Sequence, residues 1–260
     1  MPRFAANLST LFTELPFLDR FAAASDAGFE AVEFQYPYDY RAHQIKDRLD
    51  AYGLSCVLFN SPPGDWAAGD RGTACVAGRE EEFREGAKKA LWYANLLDCP
   101  TVHLMAGVGD PADAATRARY IEHLRFVAEA AAAQQTLVVI EALNPYDMPG
   151  YFVRSVRQAL VLLDEIDHPD VRLQLDLYHA QCTDGDITRL IQRVARRLGH
   201  VQIASVPERH EPDRGELSYP WVLRVLDRAG YSGWVGCEYY PAGDTVTGLG
   251  WLDAYTTTPS

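Results

Sequence analysis

No two cysteines in this chain form a C-x-x-C pair; the five, Cys56, Cys75, Cys99, Cys182 and Cys237, lie far apart. That removes the usual signatures of structural zinc and of dithiol exchange, and an odd number of scattered cysteines fits free thiols in a reducing compartment. Long apolar runs are also missing. Nothing approaches the roughly 18 residues of a membrane span, and the opening Met1-Pro2-Arg3-Phe4-Ala5 carries no signal-peptide core. A soluble, cytoplasmic protein with no membrane partner is expected. Positive charge is scarce: Lys and Arg number 24 against 36 Asp and Glu, for a formal net charge of −12. Nucleic-acid surfaces need clustered Lys and Arg, so no nucleic-acid partner is expected.

What is present is an ordinary globular composition, 48% apolar and 23% charged, over 260 residues. That length suits one α/β barrel better than two domains. Short β-rich runs alternate with helical patterns along the whole chain, as parallel βα units do. Strands are expected near Phe4 to Asn7, Ala31 to Phe34, Cys56 to Asn60, Thr101 to Met105, Leu137 to Glu141, Val171 to Asp176, Val201 to Ala204 and Trp234 to Glu238. Helices are expected near Pro16 to Ala27, Ala42 to Tyr52, Arg79 to Leu97, Asp113 to Gln135, Ser155 to Ile166, Asp186 to Leu198, Tyr219 to Ala229 and Asp244 to Asp253. Gly28, Gly53, Gly199 and Gly230 fall just past helix ends, where a positive φ is wanted. Eight such units predict a single-domain (β/α)₈ TIM barrel spanning residues 1–260, with a doubly wound open sheet as the alternative. The barrel is preferred because Asn7-Leu8-Ser9-Thr10-Leu11, after the first strand, has none of the glycines of a nucleotide-binding turn.

Barrel enzymes carry their chemistry on the loops that follow the strands. The third such loop holds Trp66 among turn formers, and the seventh, Ser205 to Ser218, is densely polar. Four short apolar runs in the second half close on an oxygen-bearing side chain: Glu141, Asp176, Gln202 and Glu238. A charge at the end of a buried strand is costly unless it is paired or coordinates something. The four are spaced by about one βα unit each, so they belong to strands five to eight, whose ends converge. Three carboxylates and an amide form a hard oxygen set, suited to one Mg²⁺ or Mn²⁺ ion. Each alone has a bland explanation, a solvated loop carboxylate or an amide serving its strand; four in succession weigh toward a metal site. His179, three residues after Asp176, is placed to donate to a substrate carbonyl or a developing oxyanion. Asp147 either supports a ligand, bonds a substrate hydroxyl or simply forms a turn.

With these residues in place, the chain resembles the hydroxypyruvate isomerase family of the xylose isomerase-like TIM barrel superfamily over essentially its whole length. The resemblance is carried by Ala6-Asn7-Leu8-Ser9, Val32-Glu33-Phe34 with Pro37-Tyr38-Asp39-Tyr40, and Pro63-Gly64-Asp65-Trp66-Ala67-Ala68-Gly69. It continues through Gly78-Arg79-Glu80-Glu81-Glu82-Phe83, Ile140-Glu141, Asp176 with Tyr178-His179, Gly199-His200 with Gln202-Ile203-Ala204, and Gly233-Trp234 with Gly236-Cys237-Glu238-Tyr239. It implies interconversion of hydroxypyruvate and tartronate semialdehyde by proton transfer through an enediolate, in glyoxylate-linked carbon metabolism. By this similarity Glu141 and Glu238 are both metal ligands and the acid/base pair, Asp176 and Gln202 complete the ligand set, His179 and Arg209 contact substrate, and Trp66 closes over the pocket. Two departures fall in the seventh loop: Ser205 stands where the family commonly has aspartate, and Asp213-Arg214 precede Gly215-Glu216 in place of Gly-Thr.

Substrate choice is therefore left among hydroxypyruvate, a 2-oxo-tetronate and, through 3-epimerisation, a longer ketose. A zinc-dependent barrel endonuclease would need more histidines at strand ends than these seven supply, and a basic face. A barrel that has lost its activity is the remaining rival. The helical exterior allows a homo-oligomer, but no patch in the sequence marks an interface.

Overall fold

The computed structural model describes residues 2–256. Eight strands, β1 (Arg3–Asn7), β2 (Ala31–Phe34), β3 (Ser55–Asn60), β4 (Thr101–His103), β5 (Leu137–Glu141), β6 (Val171–Asp176), β7 (Leu198–Ile203) and β8 (Trp234–Cys237), pair in parallel and close on themselves in sequence order. Closure runs through β1 against β8, with Ala5 opposite Gly236 and Ala6 opposite Cys237. The expected TIM barrel is the observed fold.

Around it lie α1 (Arg20–Asp26), α2 (Ala42–Tyr52), α3 (Glu80–Leu96), α4 (Ala114–Ala132), α5 (Val156–Ile166), α6 (Leu177–Thr183), α7 (Ile187–Val194), α8 (Tyr219–Arg228), α9 (Thr245–Gly248) and α10 (Asp253–Thr256). Each long helix turns an apolar stripe inward: on α5 the buried residues are Val156, Ala159, Leu162, Leu163 and Ile166, the spacing a one-sided helix requires. Among the described residues no helix is long and apolar enough to cross a membrane.

Element ends shift by a few residues, β7 beginning at Leu198 rather than Val201 and β4 ending at His103 rather than Met105, and three local features depart further from expectation. Helix α6, following β6 directly, was not foreseen, because Leu177, Tyr178, His179 and Ala180 are all buried and leave no amphipathic pattern to read. Gly199 caps no helix but sits inside β7, where a Cβ would lie 2.7 Å from Val139 Cγ1 and 2.9 Å from Arg172 Cβ. Its role is close approach rather than positive φ. The expected last helix is broken into α9, a 3₁₀ turn at Leu249–Leu252 and α10.

The strands set up the site. Side chains alternate faces, so Gln174 and Asp176 on β6 share a face, as do His200 and Gln202 on β7. Register places Glu141 opposite Gln174, Asp176 opposite Gln202 and Gln202 opposite Gly236. Polar groups from neighbouring strands thus meet inside an otherwise apolar barrel.

Candidate active site

Glu141 ends β5, Asp176 ends β6 and Glu238 lies one residue beyond β8, all buried. Asp176 also caps α6, its Oδ1 accepting from the Tyr178 N–H at 2.8 Å. One oxygen of Glu141, Oε1, has no hydrogen-bond partner, and the other stands 3.5 Å from His103 Nδ1. Burial pushes all three carboxyl groups above their ordinary range. Glu141 is raised furthest, with the charges of Glu238 and Asp176 adding to the effect of burial. For Asp176 the rise, to about 7, comes from burial and is moderated by Arg209; Glu238 follows the same pattern. His103, buried beside Glu141, is pushed down to about 3 and is neutral.

Arg209 enters from the loop after β7, with its backbone at a φ of 56°. Its Nη2 donates to Glu238 Oε2 at 2.9 Å and to Asp176 Oδ2 at 3.3 Å, while Nη1 is 3.7 Å from Asp147 Oδ2. The guanidinium carbon lies 4.8 Å from the centre of the Tyr178 ring. Main-chain bonds brace the loop: Arg209 N–H donates to Ser205 O at 3.0 Å, and Arg209 O accepts from Tyr240 N–H at 2.8 Å. Ser205, the first departure from the family pattern, uses its hydroxyl oxygen to accept from His210 N–H at 2.9 Å. It therefore holds the Arg209 turn closed.

Below the rim lies a network that the strand-end pattern did not reveal. Glu33, on β2, is fully buried; its Oε1 accepts from Gln202 Nε2 at 2.7 Å and Asn7 Nδ2 at 2.9 Å, and its Oε2 pairs with His200 Nε2 at 2.6 Å. Asn7 Nδ2 also donates to Glu238 Oε1 at 3.3 Å, and Gln35 Nε2 donates to the same oxygen at 2.9 Å. Gln202 is thereby oriented: its amide nitrogen faces Glu33 and its oxygen accepts from Gln174 Nε2 at 2.7 Å. An amide oxygen has two lone pairs, so one remains after Gln174 is served. Glu33 carried the same signal as the rim carboxylates, a charge inside an apolar run, but in mid-strand.

His179, buried on α6, has Nε2 3.6 Å from Asp176 Oδ2, and burial and the Arg209 charge push it well below the usual histidine range. Asp147 is partly exposed at the rim, its Oδ2 accepting from Asn144 Nδ2 at 3.2 Å. Trp66 stands further out, its ring 3.8 Å from the Arg71 guanidinium carbon and 5.6 Å from the Tyr36 ring. Tyr36 in turn feels the charges of Glu238 and Glu141, whereas the ring contacts of Trp66 itself are with Tyr36 and Arg71 and not with the rim carboxylates.

A divalent cation fits this donor set. Three mutually repelling carboxylates face one guanidinium, and an orphaned buried oxygen on Glu141 lacks a partner. Among the described residues, the acidic and histidine cluster compact enough for a metal is Glu141, Asp176 and His179, with candidate ligand atoms within 4.8 Å of one another. It shares Glu141 and Asp176 with the expected quartet.

Residues 21–255 match the family described as xylose isomerase-like TIM barrel. The chain is 50% identical over 258 residues to 2-oxo-tetronate isomerase of Cupriavidus necator, covering 98% of this chain and 99% of that one. It is 42% identical over 258 residues to hydroxypyruvate isomerase of Escherichia coli, covering 98% and 100%. A crystal structure described as AP endonuclease, family 2, from Brucella melitensis superposes with a TM-score of 0.96 at 52% identity, covering 98% of this chain and 99% of that one. The chain belongs to the xylose isomerase-like TIM barrel family, and within it to the branch of isomerases named for hydroxypyruvate and 2-oxo-tetronate.

Proposed function

We propose that this protein interconverts a short 2-oxo acid and its 3-oxo isomer by moving a proton between C3 and C2 through an enediolate. The observation that carries the reading is the meeting of Glu141 and Glu238, both buried with raised proton affinity, at the rim that also holds Arg209 and His179. One glutamate takes the C3 proton, the hydroxyl proton passes from the C3 oxygen to the C2 oxygen, and the other glutamate returns a proton to C2. A carboxylate serves as general base or acid where it lies within hydrogen-bond reach of the proton it takes or returns. His179 donates a hydrogen bond to the oxygen on which charge develops. Arg209 receives the substrate carboxylate on its guanidinium fork, and Trp66 keeps water from the reacting carbons.

Mg²⁺ or Mn²⁺ held by Glu141, Asp176, Gln202 and Glu238 would supply Lewis-acid stabilisation of the enediolate oxygens, of several kcal/mol. The oxygen-only character of that set supports a hard cation over zinc.

Between substrates, the relative at 50% identity favours four-carbon 2-oxo-tetronate and the one at 42% favours hydroxypyruvate. The 52% identical Brucella melitensis protein is named an endonuclease, but a chain of net charge −12 is poorly suited to a polyanion. Offering hydroxypyruvate, 2-oxo-tetronate, free ketoses and an abasic DNA duplex to the same preparation separates the four. Isomerised 2-oxo acid, read by NMR, is expected; turnover of ketoses alone, or strand cutting alone, would overturn the proposal.

A further inference from the structure

We propose that Asn144 is a positioning residue that keeps the ring proton of His179 on Nε2, so that His179 meets the substrate as a neutral hydrogen-bond donor and not as a metal ligand. The proposal rests on the isomerase reading for its consequence, but not for its geometry.

Asn144 is fully buried and lies three residues beyond the end of β5. Its Oδ1 accepts from the N–H groups of Tyr146 and Asp147, each at 3.0 Å. Two donors on that atom fix the amide: it must be the oxygen, and the nitrogen must face the other way. There Nδ2 donates to His179 Nδ1 at 2.7 Å, and the Asn144 backbone N–H points at the same nitrogen from 3.2 Å. A ring nitrogen receiving two N–H donors presents its lone pair and carries no proton. The single proton of a neutral imidazole then sits on Nε2, the atom facing Asp176 at 3.6 Å.

This settles how His179 differs from Glu141 and Asp176, although the three are close enough to share an ion. Ligation through Nε2 requires a free lone pair there, and so a proton on Nδ1, the position Asn144 blocks. With the proton on Nε2, the ring offers an N–H to a substrate oxygen without adding positive charge to a rim that already holds Arg209.

The test is long-range ¹H–¹⁵N NMR of the imidazole nitrogens in the full-length, Mg²⁺-supplied protein, with His179 assigned by loss of its signals in His179→Gln. The expected spectrum shows Nε2 protonated and Nδ1 unprotonated; protonation of Nδ1, alone or with Nε2, would overturn the proposal. Asn144→Asp keeps the oxygen that Tyr146 and Asp147 bond but replaces the donor facing Nδ1 with an acceptor. It should draw the proton to Nδ1 and lower kcat by roughly 10²- to 10³-fold, the range for losing one oxyanion donor, with KM moving far less. An Asn144→Asp protein with unchanged tautomer and kcat counts against Asn144, and if the variant fails to fold, the wild-type spectrum alone decides. The expected tautomer in a protein that turns over no 2-oxo acid supports the proton placement and overturns the isomerase reading instead.

Discussion

The Arg209 guanidinium donates to Glu238 Oε2 at 2.9 Å, tying the loop after β7 to the residue just past β8. Because Nη2 also reaches Asp176 Oδ2 at 3.3 Å, one side chain neutralises part of the repulsion between two buried carboxylates. On the proposed reading, a divalent cation held by Asp176 and Glu238 would draw on the oxygens that Arg209 bonds here, leaving the guanidinium for the substrate's carboxylate.

If Arg209 holds the substrate carboxylate as proposed, replacing it by Met removes a charge-assisted hydrogen bond of about 1.5–3 kcal/mol, so kcat/KM for a 2-oxo acid should fall about 10- to 150-fold, mostly through KM. Steady-state kinetics over a range of substrate concentration checks this; a KM that stays put would place the carboxylate elsewhere.

Gly236 faces Glu33 so closely that an added Cβ would overlap both carboxylate oxygens. Those oxygens are held by Asn7, Gln202 and His200 and have little freedom to move aside. Gly236→Ala should therefore cost about 1–3 kcal/mol of stability, measured as a lower denaturant midpoint with unchanged slope. A neutral outcome would mean that the Glu33 network is slack.

The raised carboxyl of Asp176, at about 7 against an ordinary 3.8, makes the folded protein bind more protons than the unfolded chain between those values. Stability of the metal-free protein should then fall as pH rises from about 4 through about 7. Glu141 and Glu238, shifted the same way, reinforce the trend. Thermal unfolding in chelator across this window tests it. Supplying Mg²⁺ or Mn²⁺ at 100 times its Kd at pH 7.5 should restore about 2.7 kcal/mol, and an absence of any metal effect on unfolding would count against a cation at the rim.

Much of the fold and the rim was legible in the residues, and the rest was hidden for physical reasons. Apolar runs punctuated by turn formers mark eight strands in the right order, with β2, β5 and β6 matching at both ends. Helix α6 was hidden because its cap, Asp176, doubles as a rim carboxylate and the residues after it are buried on every side. Glu33 was hidden because it lies in mid-strand rather than at a strand end, and its partners His200 and Gln202 are brought to it only by barrel closure. Asn144 could not be singled out either: its amide acquires a role only when β5 pairs with β6 and His179 returns beside it.

The most direct test of the proposed chemistry follows the isomerisation of hydroxypyruvate and 2-oxo-tetronate in ²H₂O by NMR, comparing the metal-supplied protein, the chelated protein, Glu141→Gln and Glu238→Gln. The expected result is deuterium entering at the carbon next to the carbonyl in the first sample only, with both variants folded and inactive. Undiminished turnover in chelator, or in either glutamine variant, would contradict it.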